Sequence, residues 1–269
     1  MADTMERLET KVEIADAIAT ITLNRPEKLN AWTEIMEGEV RAAMLEADKD
    51  NSVRAIILTG EGRGFCAGAD MSLLQTVVDQ GSTGRIAHTH TGDFAQQYSY
   101  FPALSKPVIA AINGPVVGLG LILTLYCDLR LASDSAKFST TFARRGLIAE
   151  YGIAWILPRI VGLPSAIDLL FTARAIDAAE ALRMGLVNQV FPQDAFAAKV
   201  RAYVTELVSL SSPRSLRVMK QQIYEGLSQT LTEASQLAER ELLKSLDCED
   251  FKEGVAHFRE KRAPRFTGK

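Results

Sequence analysis

The sequence predicts an α/β fold followed by a helical C-terminal region. Three observations carry this expectation. β-branched runs closed by glycine turns recur, at residues 53–58 before Thr59-Gly60 and at 107–112 before Asn113-Gly114. Stretches of helical period separate these runs, the alternation that right-handed crossovers between parallel strands produce. After Pro192 the pattern changes to amphipathic helices almost without strands. The expected division is a core over residues 1–192 and a helical region over 193–269.

Each element follows from local pattern. Residues 11–25 alternate apolar and polar through Val12, Ile14, Ala17, Ala19, Ile21 and Leu23, with Asp16 at the turn. They predict a β-hairpin, which Asn24-Arg25-Pro26 ends. Thr33 is a good N-cap for a helix reaching Asp48, in which Ile35, Met36, Val40, Ala43, Met44 and Ala47 recur at helical spacing. The compact run 53–58 reads as a buried parallel strand, and 107–112, 129–132 and 186–190 share its form. Helices are expected over 195–208, 213–224, 231–246 and 250–260. Their apolar faces must be buried on their own domain or on a neighbouring subunit.

Composition narrows the functional classes. The chain has 269 residues, of which 47% are hydrophobic and 23% charged, enough for one large core. Thirty basic residues against 33 acidic ones give a net charge of −3, so no broad cationic field for nucleic acid is expected. The longest apolar run, 115–127, is shorter than the roughly 20 residues a bilayer crossing needs. The polar, acidic start lacks the order of a secretion signal, and a soluble protein without a membrane partner is expected. Cys66, Cys127 and Cys248 form no C-x-x-C pair, which suits a reducing cytoplasm. Of the three histidines, His88 and His90 fall in a Gly/Ser/Thr-rich stretch expected to be a solvated loop, so no metal site is expected.

Two glycine-dense turns stand out as candidate sites. Gly60-Glu61-Gly62-Arg63-Gly64-Phe65-Cys66-Ala67-Gly68-Ala69-Asp70 links a buried strand to a helix opening at Asp70 or Met71. Asn113-Gly114-Pro115-Val116-Val117-Gly118-Leu119-Gly120 likewise follows a strand and precedes an apolar helix. Small residues there let a ligand approach backbone N–H groups, and two such groups can converge on one oxygen. Taken singly, each turn reads first as simple strand punctuation. Neither matches G-x-x-x-x-G-K-[ST] or G-x-G-x-x-G, so a nucleotide P-loop is excluded.

With these turns, Asn24-Arg25-Pro26-Glu27-Lys28-Leu29-Asn30-Ala31, Cys127-Asp128, Ala136-Lys137-Phe138, Gly185-Leu186-Val187 and Phe258-Arg259-Glu260-Lys261-Arg262 occur in one order. In this the chain resembles the crotonase, or enoyl-CoA hydratase/isomerase, superfamily. The resemblance implies a spiral of ββα turns and a helical C-terminal region that builds homotrimers, often paired into hexamers. It also implies an acyl-CoA substrate whose thioester carbonyl sits in an oxyanion hole made by the N–H groups of Ala69 and Leu119. Leu119 replaces the usual glycine, which narrows the space beside the hole. For coenzyme A, which is part of the substrate and not a separate cofactor, the resemblance points to Lys28, Ala31 and Ala67, with Phe258 and Lys261 reaching the nucleotide end, often from an adjoining subunit. Arg25, Lys28 and Lys261 are candidate cations for its phosphates.

The pattern breaks where hydratases of this superfamily carry two glutamates. Their positions fall here on Ile122 and Phe142, so a general acid/base pair for adding water is missing. Glu150 remains, and Gly146-Leu147-Ile148-Ala149-Glu150 resembles the Δ3,Δ2-enoyl-CoA isomerase form, in which one glutamate takes a proton from C2 and returns it at C4. Ile122, Phe142, Tyr151 and Trp155 are the expected acyl pocket, and the apolar Ile148, Ile153, Trp155, Ile122 and Phe142 are expected to exclude water from Glu150 and raise its pKa. The plain alternative for Glu150 is an acid that complements a helix dipole, and Arg144 or Arg145 is a candidate ion partner. Cys66 is expected to pack and Asp70 to cap its helix. The preferred expectation is enoyl-CoA isomerisation. Its rivals are a hydratase-type lyase with a displaced acid, an acyl-CoA hydrolase, and a non-catalytic acyl-CoA- or RNA-binding member. Acyl length, and whether the substrate is a fatty, aromatic or sterol-derived acid, stay open; the stretch 71–101 is expected to line the acyl pocket and its 81–84 segment to be mobile.

Overall fold

The computed structural model describes residues 3–80 and 92–269, so His88, His90 and the 81–84 segment lie outside the described residues. The strands are β1 (Asp3–Glu6), β2 (Thr10–Ala15), β3 (Ile18–Leu23), β4 (Ala55–Gly60), β5 (Val108–Ile112), β6 (Val116–Val117), β7 (Leu129–Ser133), β8 (Lys137–Ser139), β9 (Ile176–Asp177) and β10 (Gln189–Phe191). The helices are α1 (Glu34–Lys49), α2 (Met71–Gln80), α3 (Leu119–Tyr126), α4 (Ile153–Val161), α5 (Leu163–Thr172), α6 (Ala178–Arg183), α7 (Phe196–Leu210), α8 (Pro213–Glu225), α9 (Leu231–Asp247) and α10 (Glu249–Glu260).

The large sheet has the order β1-β2-β3-β4-β5-β7-β10, antiparallel through β3 and parallel from there on. The hairpin β2–β3 turns at Asp16 and Ala17, both at positive φ, 49° and 61°, as a tight two-residue turn requires. A smaller sheet, β6-β8-β9, stands beside it. Thr33 caps α1 by accepting from Met36 N, and Met36, Val40, Ala43, Met44 and Ala47 are buried. Ile35 is not part of that face: it is 51% exposed, because it falls off the stripe the other five define. The acidic start, which has no strand-like alternation, still forms the edge strand β1 by pairing with β2. The last strand begins three residues later than expected, because Leu186 O and Asn188 Oδ1 are taken by Arg130.

Both faces of the sheet are covered. One packs under α1, α3 and α4 in a core that includes Ile21, Ile56, Leu58, Met44, Leu121 and Leu157. The other is covered by α7, whose Phe196, Val200, Val204 and Val208 meet Ile18, Ile57, Ile109 and Leu131. Burial on both faces explains why the parallel strands read as unbroken apolar runs. Lys220 of α8 is buried and donates to Phe101 O (2.9 Å), Lys106 O (2.9 Å) and Asp128 Oδ2 (2.8 Å), anchoring the helical region to the core. Among the described residues no helix is long and apolar enough to cross a membrane.

Candidate active site

The two glycine turns lie side by side. Phe65 N and Cys66 N donate to Pro115 O, and Val117 N donates to Cys66 O at 2.9 Å. The turn after β4 carries many backbone groups that no strand satisfies, and two amides take them up. Asn30 Nδ2 donates to Glu61 O and Gly64 O, while Asn113 Nδ2 donates to Gly62 O and Asn113 Oδ1 accepts from Gly60 N. Gly120, one residue into α3, touches Cys66: a Cβ there would lie 2.7 Å from both Cys66 Cβ and Cys66 O. Only glycine permits this approach.

This packing leaves two backbone donors unused. Trp32 N donates to Gly68 O and Asp70 N donates to Trp32 O, a parallel bridge that steps over Ala69. Leu119 opens α3, so its N–H has no intrahelical acceptor. Among the described residues neither the Ala69 nor the Leu119 N–H has a protein acceptor. The Leu119 side chain belongs to the main core.

Beside Ala69 opens a cavity of about 270 Å³. Lys28, Ala31, Ala67 and Ala69, each anticipated, line it together with Asp70, Met71 and Arg145. Arg145, which sequence reasoning offered only as a partner of Glu150 or a solvated charge, is a second cation on this lining. Arg25 is corrected: its guanidinium is committed to Asp70 Oδ2 (2.9 Å), Ala31 O (2.7 Å) and Glu9 Oε1 (3.2 Å), so it holds the turn and is not available to a phosphate. Asp70 caps α2 as anticipated, accepting from Ser72 N and Ser72 Oγ; those bonds, with the Arg25 guanidinium, hold its carboxyl down at about 2. Burial pushes the Cys66 thiol up to about 12, as a packed and unreactive cysteine requires. Phe258 and Lys261, at the end of α10, are exposed and do not line the cavity.

Glu150 lies half-buried in the turn before α4, where its carbonyl accepts from Ile153 N. Ile122 and Phe142, the positions where acids are absent, are buried in the main core, with Tyr151 and Trp155 partly buried against it; none of the four lines the cavity. Ile148 is corrected too: at 79% exposure it does not shield Glu150 from water. Arg144 Nε donates to Thr172 O at 2.9 Å. Two sets of aromatic contacts that sequence reasoning missed involve Tyr151 and Trp155. Tyr98 meets Tyr151 edge-on with centroids 4.6 Å apart, Trp32 meets Tyr98 at 6.2 Å, and Phe94 meets Trp155 at 6.3 Å and Tyr224 at 5.4 Å. Tyr98 Oη donates to Glu37 Oε2 at 2.7 Å, and burial together with that carboxylate raises the phenol well above its ordinary range. Among the described residues no group of three or more His, Cys, Asp or Glu is placed to hold a metal.

A parallel spiral with paired backbone donors at adjacent glycine turns defines a crotonase-fold protein, and solved structures bear this out. The crystal structure of an enoyl-CoA hydratase from Polaromonas sp. JS666 superposes with a TM-score of 0.88 at 28% identity, over 96% of this chain and 99% of that one. The enoyl-CoA hydratase from Bacillus anthracis gives 0.84 at 28%, over 97% and 100%. The chain belongs to the enoyl-CoA hydratase/isomerase family, whose pattern matches residues 13–269. Similar sequences include the Mycobacterium tuberculosis protein named "Probable enoyl-CoA hydratase echA8", 37% identical over 95% of this chain and 96% of that one. The 1,2-epoxyphenylacetyl-CoA isomerase of Escherichia coli is 32% identical over 98% and 100%.

Proposed function

We propose that this acyl-CoA enzyme moves the double bond of a 3-enoyl-CoA to the 2-position, with Glu150 as the only acid/base. The observation that carries the reading is the pairing of buried, apolar Ile122 and Phe142 with a retained carboxylate at Glu150. Adding water calls for a second proton-handling group, whereas a 1,3-proton shift needs one. The Glu150 carboxylate removes a proton from C2, and the electron pair moves onto the thioester oxygen. The Ala69 and Leu119 N–H groups, which have no acceptor among the described residues, hold the resulting dienolate oxygen. The protonated Glu150 then delivers the same proton to C4. The C2–C3 double bond forms as the C3–C4 double bond is lost, and no water enters.

In the same reading, Lys28 and Arg145 hold coenzyme A phosphates along the cavity. Exposed Leu242, Leu243, Leu246, Phe251, Val255 and Phe258 on α9 and α10 make an apolar surface suited to a trimer. Such an assembly brings Phe258 and Lys261 toward a neighbour's nucleotide end. Hydration is the second reading: some similar proteins carry hydratase names and one carries an isomerase name.

The test is mass spectrometry of 2-enoyl- and 3-enoyl-CoAs incubated in ¹⁸O-labelled water with wild type and Glu150→Gln. Label-free bond migration that disappears in Glu150→Gln is the expected result. Labelled 3-hydroxyacyl-CoA formed by both proteins would overturn the isomerase reading, and released free CoA would indicate a hydrolase.

A further inference from the structure

The helix α3 touches both ends of the proposed chemistry. Its first residue, Leu119, presents an N–H that has no acceptor among the described residues, and its last, Tyr126, donates its hydroxyl to the Tyr151 carbonyl at 2.8 Å. Tyr151 directly follows Glu150. Every residue of α3 is buried, so this span of roughly 12 Å is a rigid spacer. The Gly120–Cys66 contact fixes the same helix against the turn that carries Ala69.

The backbone beside Glu150 needs such a restraint. Tyr151 and Gly152 both have positive φ, 49° and 77°, a conformation that a tyrosine adopts only when its surroundings impose it. The Tyr126 hydroxyl fills the space that glycine leaves: a Cβ on Gly152 would lie 2.5 Å from Tyr126 Oη. The Tyr126 phenol is raised by burial to about 12, so it remains a donor across the neutral range.

We infer that Tyr126 is a positioning residue, whose hydroxyl holds the Tyr151 carbonyl and thereby sets the Glu150 carboxylate at a fixed distance from the Leu119 N–H at the other end of the same helix. The inference rests on the reading of Glu150 as the base. It deepens that reading by identifying what aligns base and oxyanion donor.

Tyr126→Phe keeps the ring and deletes the hydroxyl. With a 3-enoyl-CoA we expect kcat to fall about tenfold, KM to stay within about twofold, and the thermal midpoint to move by only a few degrees. Gly152→Ala pushes the hydroxyl away from the turn. Adding Tyr126→Phe to Gly152→Ala is therefore expected to cost no further activity, the non-additivity of two residues sharing one contact. A wild-type kcat in Tyr126→Phe, or a loss of kcat matched by a large rise in KM and a collapse of the thermal midpoint, would overturn the inference while leaving Glu150 as base. Absence of Glu150-dependent isomerisation in the wild type would instead remove the base assignment, and the inference with it.

Discussion

Arg25 Nη1 lies 2.9 Å from Asp70 Oδ2 and 2.7 Å from the Ala31 carbonyl, so one guanidinium nitrogen ties the end of β3 to the start of α2. Both side chains are mostly buried, with 18% and 15% of their surface exposed. The pair braces the wall of the cavity that Lys28 and Ala69 line.

Asp70 makes this brace sensitive to acid. Its hydrogen bonds from Ser72, then the Arg25 guanidinium, lower its pKa from 3.8 to about 2. A carboxylate depressed in the folded state contributes stability that is full above the unfolded value and is lost as pH falls through the folded one. The window is therefore pH 3.8 down to about 2. Urea titrations of wild type and Asp70→Asn should differ by about 2 kcal/mol near neutrality and converge through that window. A pH-independent difference would assign the effect to some other group.

Gly120→Ala should be costly. The added methyl meets Cys66 backbone and side chain at 2.7 Å, and neither the turn nor the buried helix has room to yield. A loss of about 3 kcal/mol is expected by urea unfolding, with a fall in kcat as the Leu119 N–H shifts.

Lys220 is a second structural anchor. Its ammonium serves three acceptors in a buried site, among them Asp128 Oδ2, which also accepts from Val108 N. Lys220→Met fits the stem but leaves the Asp128 carboxylate without its cation, a change worth about 3 kcal/mol. Replacing Asp128 by Asn in that background should recover part of the loss, readable as a rise in thermal midpoint.

If Lys28 and Arg145 hold coenzyme A phosphates as proposed, they are separable from the chemistry. Lys28→Ala and Arg145→Ala should each raise KM for a CoA thioester about fivefold, with kcat unchanged. The matching acyl-pantetheine, which lacks the nucleotide phosphates, should show no such rise.

Much of this molecule was legible in the residues because short-range physics decides it. Thr33 caps α1 and Asp16 marks the hairpin turn, which Ala17, read as a strand position, completes; Ala69 and Leu119 are singled out by the family resemblance and not by local pattern. Other features depend on partners distant in sequence. Arg25 is indistinguishable from a phosphate ligand until Glu9 and Asp70 are seen beside it. Ile148 looks like a pocket residue because it is apolar, yet its loop faces outward. Tyr126 reads as one more core aromatic of an apolar helix, and only Gly152 at positive φ hints that a hydroxyl stands opposite. β1 carries no pattern of its own and exists because β2 offers an edge.

The strand order of the large sheet rises steadily along the chain, so each strand finds its neighbour already made. A chain emerging from the ribosome N-terminus first therefore assembles the sheet edge by edge, without waiting for distant segments. The face formed by Ile18, Ile57, Ile109 and Leu131 is different, since its cover arrives only with α7, ending at Leu210. Until then the nascent protein presents a finished apolar surface to the cell. Synthesis that stalls before Phe196 should yield aggregation-prone chains, whereas a stall beyond Leu210 should spare them.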